Sequence, residues 1–164
     1  MIRPATHADA EAIVRIYNHY IEETVITFEE TAIDAAEIVS RMGNPETGFP
    51  WLVCEEEGVI IGYAYVFPWR TRAAYRQTAE ASVYLEHTRR GQGTGTALYR
   101  QLIETATPRG LHILIGGITL PNPASIALHE RLGFEKVAHF TEVGRKFDQW
   151  LDVGFWQLNL SKHS

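Results

Sequence analysis

Cysteine occurs once in the 164 residues, at Cys54. A lone cysteine closes no internal disulfide, and a reducing cytoplasm is the expected compartment. It lies in the apolar run Trp51-Leu52-Val53-Cys54, where it reads as a small buried hydrophobe. Positive charge is scarce: 15 Lys and Arg against 20 Asp and Glu leave a net charge of −5. That balance disfavours a nucleic-acid partner. No apolar run approaches the length of a membrane span, so no membrane partner is expected. Met1-Ile2-Arg3-Pro4-Ala5-Thr6 lacks the architecture of a secretory signal. The histidines at 7, 19, 87, 112, 129, 139 and 163 show no metal-ligand spacing, so no metal is expected. Internal repeats, linkers and low-complexity segments are missing too. What remains is a length and an apolar fraction, 45%, that suit one domain over residues 1–164 with a full core.

The periodicities predict β-α-α-β-β-β-α-β-α-β-β, an α/β chain with a mixed sheet and helices on both faces. Residues 2–5 form a first strand. Thr6-His7-Ala8-Asp9 is a capping box that opens a helix with Ala12, Ile13, Ile16, Tyr17 and Tyr20 on one face. The two tyrosines read as helix packing. Residues 24–30 are irregular or extended, 34–42 form a second helix, and 43–48 carry turn chemistry. Strands 51–56 and 59–67 make a hairpin around Glu57-Gly58, the second apolar enough to be central. A basic, aromatic run at 68–76 precedes strand 78–85. A helix then runs to about 107. A strand at 111–118, a helix at 126–132 ending at Gly133, and strands at 134–143 and 153–160 complete the chain.

Strand 78–85 and the helix after it enclose three closely spaced glycines, Gly91, Gly93 and Gly95. A strand, a glycine turn and the free N–H groups of a helix start make an anion site. Arg89 and Arg90 add charge there, which suits a pyrophosphate. A Walker loop is excluded, because Thr96-Ala97 stands where Lys and Ser or Thr would be. A dinucleotide fingerprint is excluded by the G-x-G-x-G spacing.

Arg90-Gly91-Gln92-Gly93-Thr94-Gly95 instead resembles the Q/R-x-x-G-x-G/A signature of the GCN5-related N-acetyltransferases (GNAT), in which the loop binds the pyrophosphate of acetyl-coenzyme A. The run from Asn122 through Ser125, Leu128 and His129 to Gly133-Phe134 resembles the family's later motif. The likeness extends to Tyr17-Asn18-His19-Tyr20, Pro68-Trp69, Thr78-Ala79-Glu80 and the stretch from Val143 to Trp156. There it is similar to the phosphinothricin and methionine sulfoximine acetyltransferase branch over nearly the whole chain. The resemblance implies the GNAT fold, a mostly antiparallel sheet whose strands splay around acetyl-coenzyme A. It also implies acetyl transfer to the α-amino group of a small amino acid analogue, by a homodimer.

An α-amino group is mostly charged at neutral pH, so transfer needs a base. By resemblance Glu80 takes the proton, directly or through water. His129 stands where many relatives carry a tyrosine, and remains open as base, acid or polar contact. Val83, Tyr84 and Leu85 would pair with the pantetheine arm like an added strand. Arg90, Gly91, Gln92, Gly93, Thr94, Gly95 and Thr96 would hold the phosphates. Asn122 would bond the pantetheine, and Ser125 either joins it or caps its own helix. For the acceptor, arginine forks suit its oxyanions. Arg70, Thr71, Arg72 and Tyr75 match the branch's substrate loop and Phe28 an aromatic wall. Ala81 and Ser82 accompany Glu80, and Lys146 is a further candidate for an anion. Two rivals stay open: a GNAT enzyme acting on an aminoglycoside or polyamine, and a non-catalytic coenzyme A-binding module.

Overall fold

A computed structural model describes residues 1–46 and 48–162. Thr47 of the expected 43–48 turn and His163 lie outside the described residues. The elements follow the expected order: β1 (Ile2–Pro4), α1 (Ala10–Glu23), α2 (Ala35–Met42), β2 (Trp51–Glu56), β3 (Val59–Pro68), β4 (Thr78–Leu85), α3 (Thr94–Ala106), β5 (Ile113–Leu120), α4 (Pro123–Arg131), β6 (Glu135–Lys146) and β7 (Gln149–Asn159). At the first helix, the Thr6 N–H donates to Asp9 Oδ2 at 2.8 Å. A single 3-10 turn, His7–Asp9, precedes α1 proper. Arg3 grips the same carboxylate, at 2.8 and 2.9 Å, and ties β1 to the helix start.

The strands form one seven-stranded sheet in the order β1-β2-β3-β4-β5-β7-β6. Among the described residues, only β4 and β5 run parallel. Two cores flank it. Ile13, Ile16, Tyr17 and Tyr20 of α1 and Ile38 and Met42 of α2 pack on Trp51, Val53, Ile60 and Tyr63. Leu98, Tyr99, Leu102 and Ile103 of α3 pack on Leu52, Cys54, Ile61, Ala64 and Val66 from the other side. The central strand β3 is therefore apolar on both faces because both are covered. Burial raises the Cys54 thiol pKa, as expected of an inert core residue.

The final hairpin is longer than the sequence suggests. β6 continues to Lys146, and β7 starts at Gln149. They are joined by Phe147 and Asp148, at φ 50° and 58°. Positive φ at both central positions is the geometry that matches the twist of a hairpin. It usually selects Asn or Gly, so Phe-Asp carries no such signal. Within β6 the register shifts between Phe140 and Gly144.

The feature that prepares the site is where β4 and β5 part. They pair only from Thr78↔Ile113 to Glu80↔Ile115. β4 then runs on to Leu85 along β3, and β5 to Leu120 along β7. On β4, Glu86 N–H bonds to Ile61 O and Trp69 N–H to Thr78 O. The antiparallel alternation thus turns the even-numbered amides of β4 toward β3, and those of Ala81, Val83 and Leu85 toward the gap.

Candidate active site

The gap leads to the glycine turn. Gly91 and Gly93 both have φ 81°, a region L side chains rarely adopt. A Cβ built on either meets nothing within 4 Å, so the turn is open on the side where a ligand's backbone would lie. Gly93 caps α3 without a side chain. The first amide taken up within the helix is that of Ala97, by Gly93 O at 3.1 Å. The N–H groups of Thr94, Gly95 and Thr96 are thereby left for an anion. The Arg90 guanidinium lies over the Tyr20 ring, 5.2 Å from its centroid. The Tyr20 hydroxyl donates to Leu85 O at 2.6 Å. The residues present thus fit an extended ligand ending in a pyrophosphate: a strand-like edge at Val83 and Leu85, then a cradle of amides. The backbone groups of Tyr84 turn to β3, and its ring packs edge-on against Tyr17 at 5.0 Å.

On the face of the sheet beneath α1 lies a cavity of about 1060 Å³. Its floor includes Tyr65 and Phe67 of β3, Glu80 and Ser82 of β4, Gly117 of β5 and Phe155 of β7. Phe28, Glu29, Arg41, Trp69 and Arg70 wall it, and Val137, Phe140 and Val143 of β6 close one side. The loop carrying Phe28 is held from below. Phe28 sits over Gly144, whose missing side chain leaves room for the ring. The buried Lys146 ammonium donates to Thr27 O at 2.8 Å. Burial lowers the Lys146 pKa. That lysine therefore braces the loop from behind and does not line the cavity.

Glu80 is the chemically distinctive group. Burial raises its carboxyl from the ordinary 4.5 to about 7. Its Oε1 lies 3.0 Å from where a Cβ on Gly117 would stand. A glycine at 117 therefore gives the carboxylate its space, and glycine inside a strand is a sign of such close approach. A carboxyl that titrates near neutrality suits a base.

His129 sits on the other side of β5. Side chains alternate along a strand, so Gly116 faces His129 while Gly117 faces Glu80. The ring is buried, and both nitrogens are engaged. Nδ1 meets Ser125 O at 2.7 Å and Nε2 the Tyr99 hydroxyl at 3.1 Å. A carbonyl only accepts, so Nδ1 carries the proton and Nε2 accepts from Tyr99. Burial lowers its pKa, which keeps the ring neutral.

The other expected site residues divide. Phe28, Arg70, Glu80, Ser82 and Tyr84 line the cavity; Thr71, Arg72, Tyr75 and Ala81 do not. Arg72 and Tyr75 bracket an exposed 3-10 turn, Ala73–Tyr75. Ala81 points into the α3 core. Asn122 caps α4, accepting from the Ser125 N–H at 3.1 Å, which takes up one acceptor site of its carbonyl oxygen. Sequence reasoning missed Glu29, Arg41, Tyr65, Gly117 and Phe155 on the acceptor side and Tyr99 beneath the gap. The Gly116-Gly117 pair inside an apolar strand was the one local signal. Among the described residues, no three His, Cys, Asp or Glu side chains converge to hold a metal, and no helix is long and apolar enough to cross a membrane.

Comparison with known proteins agrees with this geometry. A family model described as an acetyltransferase (GNAT) domain matches residues 2–154. The phosphinothricin N-acetyltransferase of Streptomyces viridochromogenes is 40% identical over 156 residues, 95% of this chain and 85% of that one. The L-methionine sulfoximine/L-methionine sulfone acetyltransferase of Salmonella typhimurium is 40% identical over 164 residues, 99% of this chain and 96% of that one. A putative acetyltransferase of Salmonella typhimurium, solved with its cofactor acetyl-CoA, superposes with a TM-score of 0.95 at 39% identity, covering 100% of this chain and 95% of that one. With the parted strands, the glycine cradle and the buried carboxylate all in one chain, the protein belongs to the GNAT family of N-acetyltransferases, which use acetyl-coenzyme A.

Proposed function

We propose that this enzyme acetylates the α-amino group of a small amino acid analogue of the phosphinothricin, methionine sulfoximine or methionine sulfone type. The observation that carries the reading is Glu80: a carboxyl tuned to about 7 in the floor of an aromatic-walled cavity, at the point where β4 and β5 part. Acetyl-coenzyme A supplies the acetyl group as a thioester. Val83 and Leu85 offer backbone groups to its arm, and Gly91 to Thr96 offer amides to its phosphates. Glu80 accepts the ammonium proton of the acceptor, directly or through water. His129 supports this from the far face, where its neutral ring fixes the Tyr99 hydroxyl beneath the gap. Two engaged nitrogens speak against His129 as the base. Release of free thiol from acetyl-coenzyme A with a panel of amino acids, aminoglycosides and polyamines tests the reading. Turnover with the latter two alone would overturn it, and no turnover with any amine would favour a binding module.

Arg70 is the group suited to the acceptor's carboxylate. It lies on the cavity wall with its guanidinium 5.1 Å from the Trp69 ring centroid. A hydrogen bond to a charged group is worth about 1.5–3 kcal/mol. Arg70→Ala is therefore expected to raise the KM for the amino acid by about tenfold to a hundredfold, with that for acetyl-coenzyme A little changed. Arg72→Ala, outside the cavity, is the comparison and should move neither constant by much. A reversed ranking in steady-state kinetics would move the carboxylate site to the 3-10 turn.

The unit in solution is proposed to be a homodimer built on β6. This strand ends the sheet, and an unpaired edge invites another chain. Val137, Phe140, Val143, Phe147 and Trp150 are all at least half exposed, an apolar surface of the kind that marks an interface. Val137, Phe140 and Val143 also line the cavity, so a second copy would close its outer wall. Trp150→Glu with Phe147→Glu is expected to give monomers by sedimentation and a raised KM for the acceptor. A wild-type protein that sediments as a monomer would exclude the dimer.

A further inference from the structure

Two arginines line the cavity, and their charges are matched differently. Arg41 grips Glu29 in a bidentate pair, Nη1 to Oε2 at 2.8 Å and Nη2 to Oε1 at 2.5 Å, while its Nε donates to Glu37 at 2.7 Å. The Tyr17 hydroxyl also donates to Glu29. Arg41 above all, with help from Tyr17, holds the Glu29 carboxyl below its usual range against the effect of burial. Both members of the pair therefore stay ionised, and they cancel at the cavity wall. Arg70 has no acidic partner among the described residues. Lys146 faces Thr27 O behind the loop. The cavity thus offers an acceptor one uncompensated cation, Arg70, and one base, Glu80.

An α-amino acid uses both. Its carboxylate goes to Arg70 and its amine to Glu80. No cation is then left for a charge on its side chain. Tyr65 lines the same cavity. It shares that lining with Ser82, Arg41, Glu29 and Glu80, and the charges of Arg41, Glu29 and Glu80 all act on its hydroxyl. The ion pair and the base therefore belong to one continuous space, and the walls between them are aromatic. Burying a dipole against such walls is tolerable when a polar partner is near. Burying an unmatched anion is far more costly.

We propose that the Glu29–Arg41 pair selects acceptors whose side chain ends in an uncharged polar group, such as a sulfone or sulfoximine, over isosteric ones that end in an anion, such as a phosphinate. This rests on the amino acid N-acetyltransferase reading given above. Neutralising Arg41 is what excludes the anion, while the two guanidinium N–H groups not taken up by Glu29 and Glu37 still serve a neutral oxygen.

Methionine sulfone and phosphinothricin make a clean pair for the test. They share chain length and a terminal methyl, and differ in a neutral sulfur or an anionic phosphorus bearing the two oxygens. kcat/KM for both is measured at one alkaline pH with saturating acetyl-coenzyme A, for wild type, Glu29→Gln and Arg41→Gln. The wild type is expected to prefer the sulfone by about tenfold or more, the scale of one charge-assisted hydrogen bond. Glu29→Gln frees the guanidinium and should move the ratio toward phosphinothricin by a similar factor. Arg41→Gln leaves a carboxylate unmatched and should move it the opposite way, which decides the matter if Glu29→Gln fails to fold. Equal use of the two acceptors by the wild type, a preference for phosphinothricin, or a ratio that neither substitution moves overturns the inference alone. A wild type that acetylates no amino acid while still binding acetyl-coenzyme A overturns the amino acid reading itself.

Discussion

Glu80→Gln is expected to lower turnover near neutral pH by about a hundredfold to ten-thousandfold, the usual worth of a general base. Glutamine keeps the size of the side chain and removes its basicity. Acetyl-coenzyme A should bind nearly as before, because the cradle at Gly91 to Thr96 is separate from the cavity floor. The wild-type rate should rise through about pH 7 as Glu80 loses its proton. That limb should vanish in the variant, and the deficit should shrink at higher pH as more amine arrives already deprotonated. His129→Ala separates the alternatives. If the glutamine variant keeps most of its activity and the alanine variant loses the rising limb, the base is His129.

Stability should change in the opposite direction. The Glu80 pKa is about 7 when folded, against an ordinary 4.5. The folded protein therefore holds a proton that the unfolded chain has released. This contribution is full below about 4.5 and is lost as pH rises to about 7. Above pH 7 the wild type carries a buried carboxylate, at a cost of up to about 3 kcal/mol. Glu80→Gln should consequently melt higher than wild type in alkaline buffer while being far less active, a trade that active sites commonly make. Equal melting temperatures at pH 8 would mean that Glu80 is solvated and not raised at all.

The order of the elements was legible because most of them bury one face. Period-two and period-3.6 patterns survive wherever a single face is apolar, as in α1 and β4. The last hairpin was cut short because its turn, Phe147-Asp148, reaches positive φ without Gly or Asn. Its outward residues Val143 and Trp150 are also apolar, which blurs the alternation. At the site, Glu80 and Arg70 stand beside recognisable motifs. Glu29 and Arg41 do not: twelve residues apart, they meet only because α2 folds back beside α1. Arg70 and Arg72 both stand in the run that resembles the branch's substrate loop, yet only Arg70 lines the cavity, and the chain turns away at Ala73–Tyr75. Gly116 and Gly117 look alike in sequence, and the strand's alternation alone assigns one to His129 and the other to Glu80.

Gly93→Val is expected to weaken acetyl-coenzyme A binding by about a hundredfold or more, the equivalent of two hydrogen bonds to a charged group. Two effects combine. Gly93 has φ 81°, where a β-branched residue is strained, so the turn should relax toward negative φ. That relaxation swings the amides of Thr94 and Gly95 away from the anion they would hold. The side chain itself would also project into space that is open in the free protein and that a pyrophosphate would fill. Strain alone can be separated from lost recognition by a control. Gly43 also has positive φ, 62°, with open space around its Cβ position, but it caps α2 away from the gap. Gly43→Val should cost stability and leave affinity alone. Gly93→Val should lose affinity by calorimetry even at temperatures where circular dichroism reports a folded chain. Unchanged affinity in a folded Gly93→Val protein would remove the glycine turn from the cofactor site, and with it the role given to the first amides of α3.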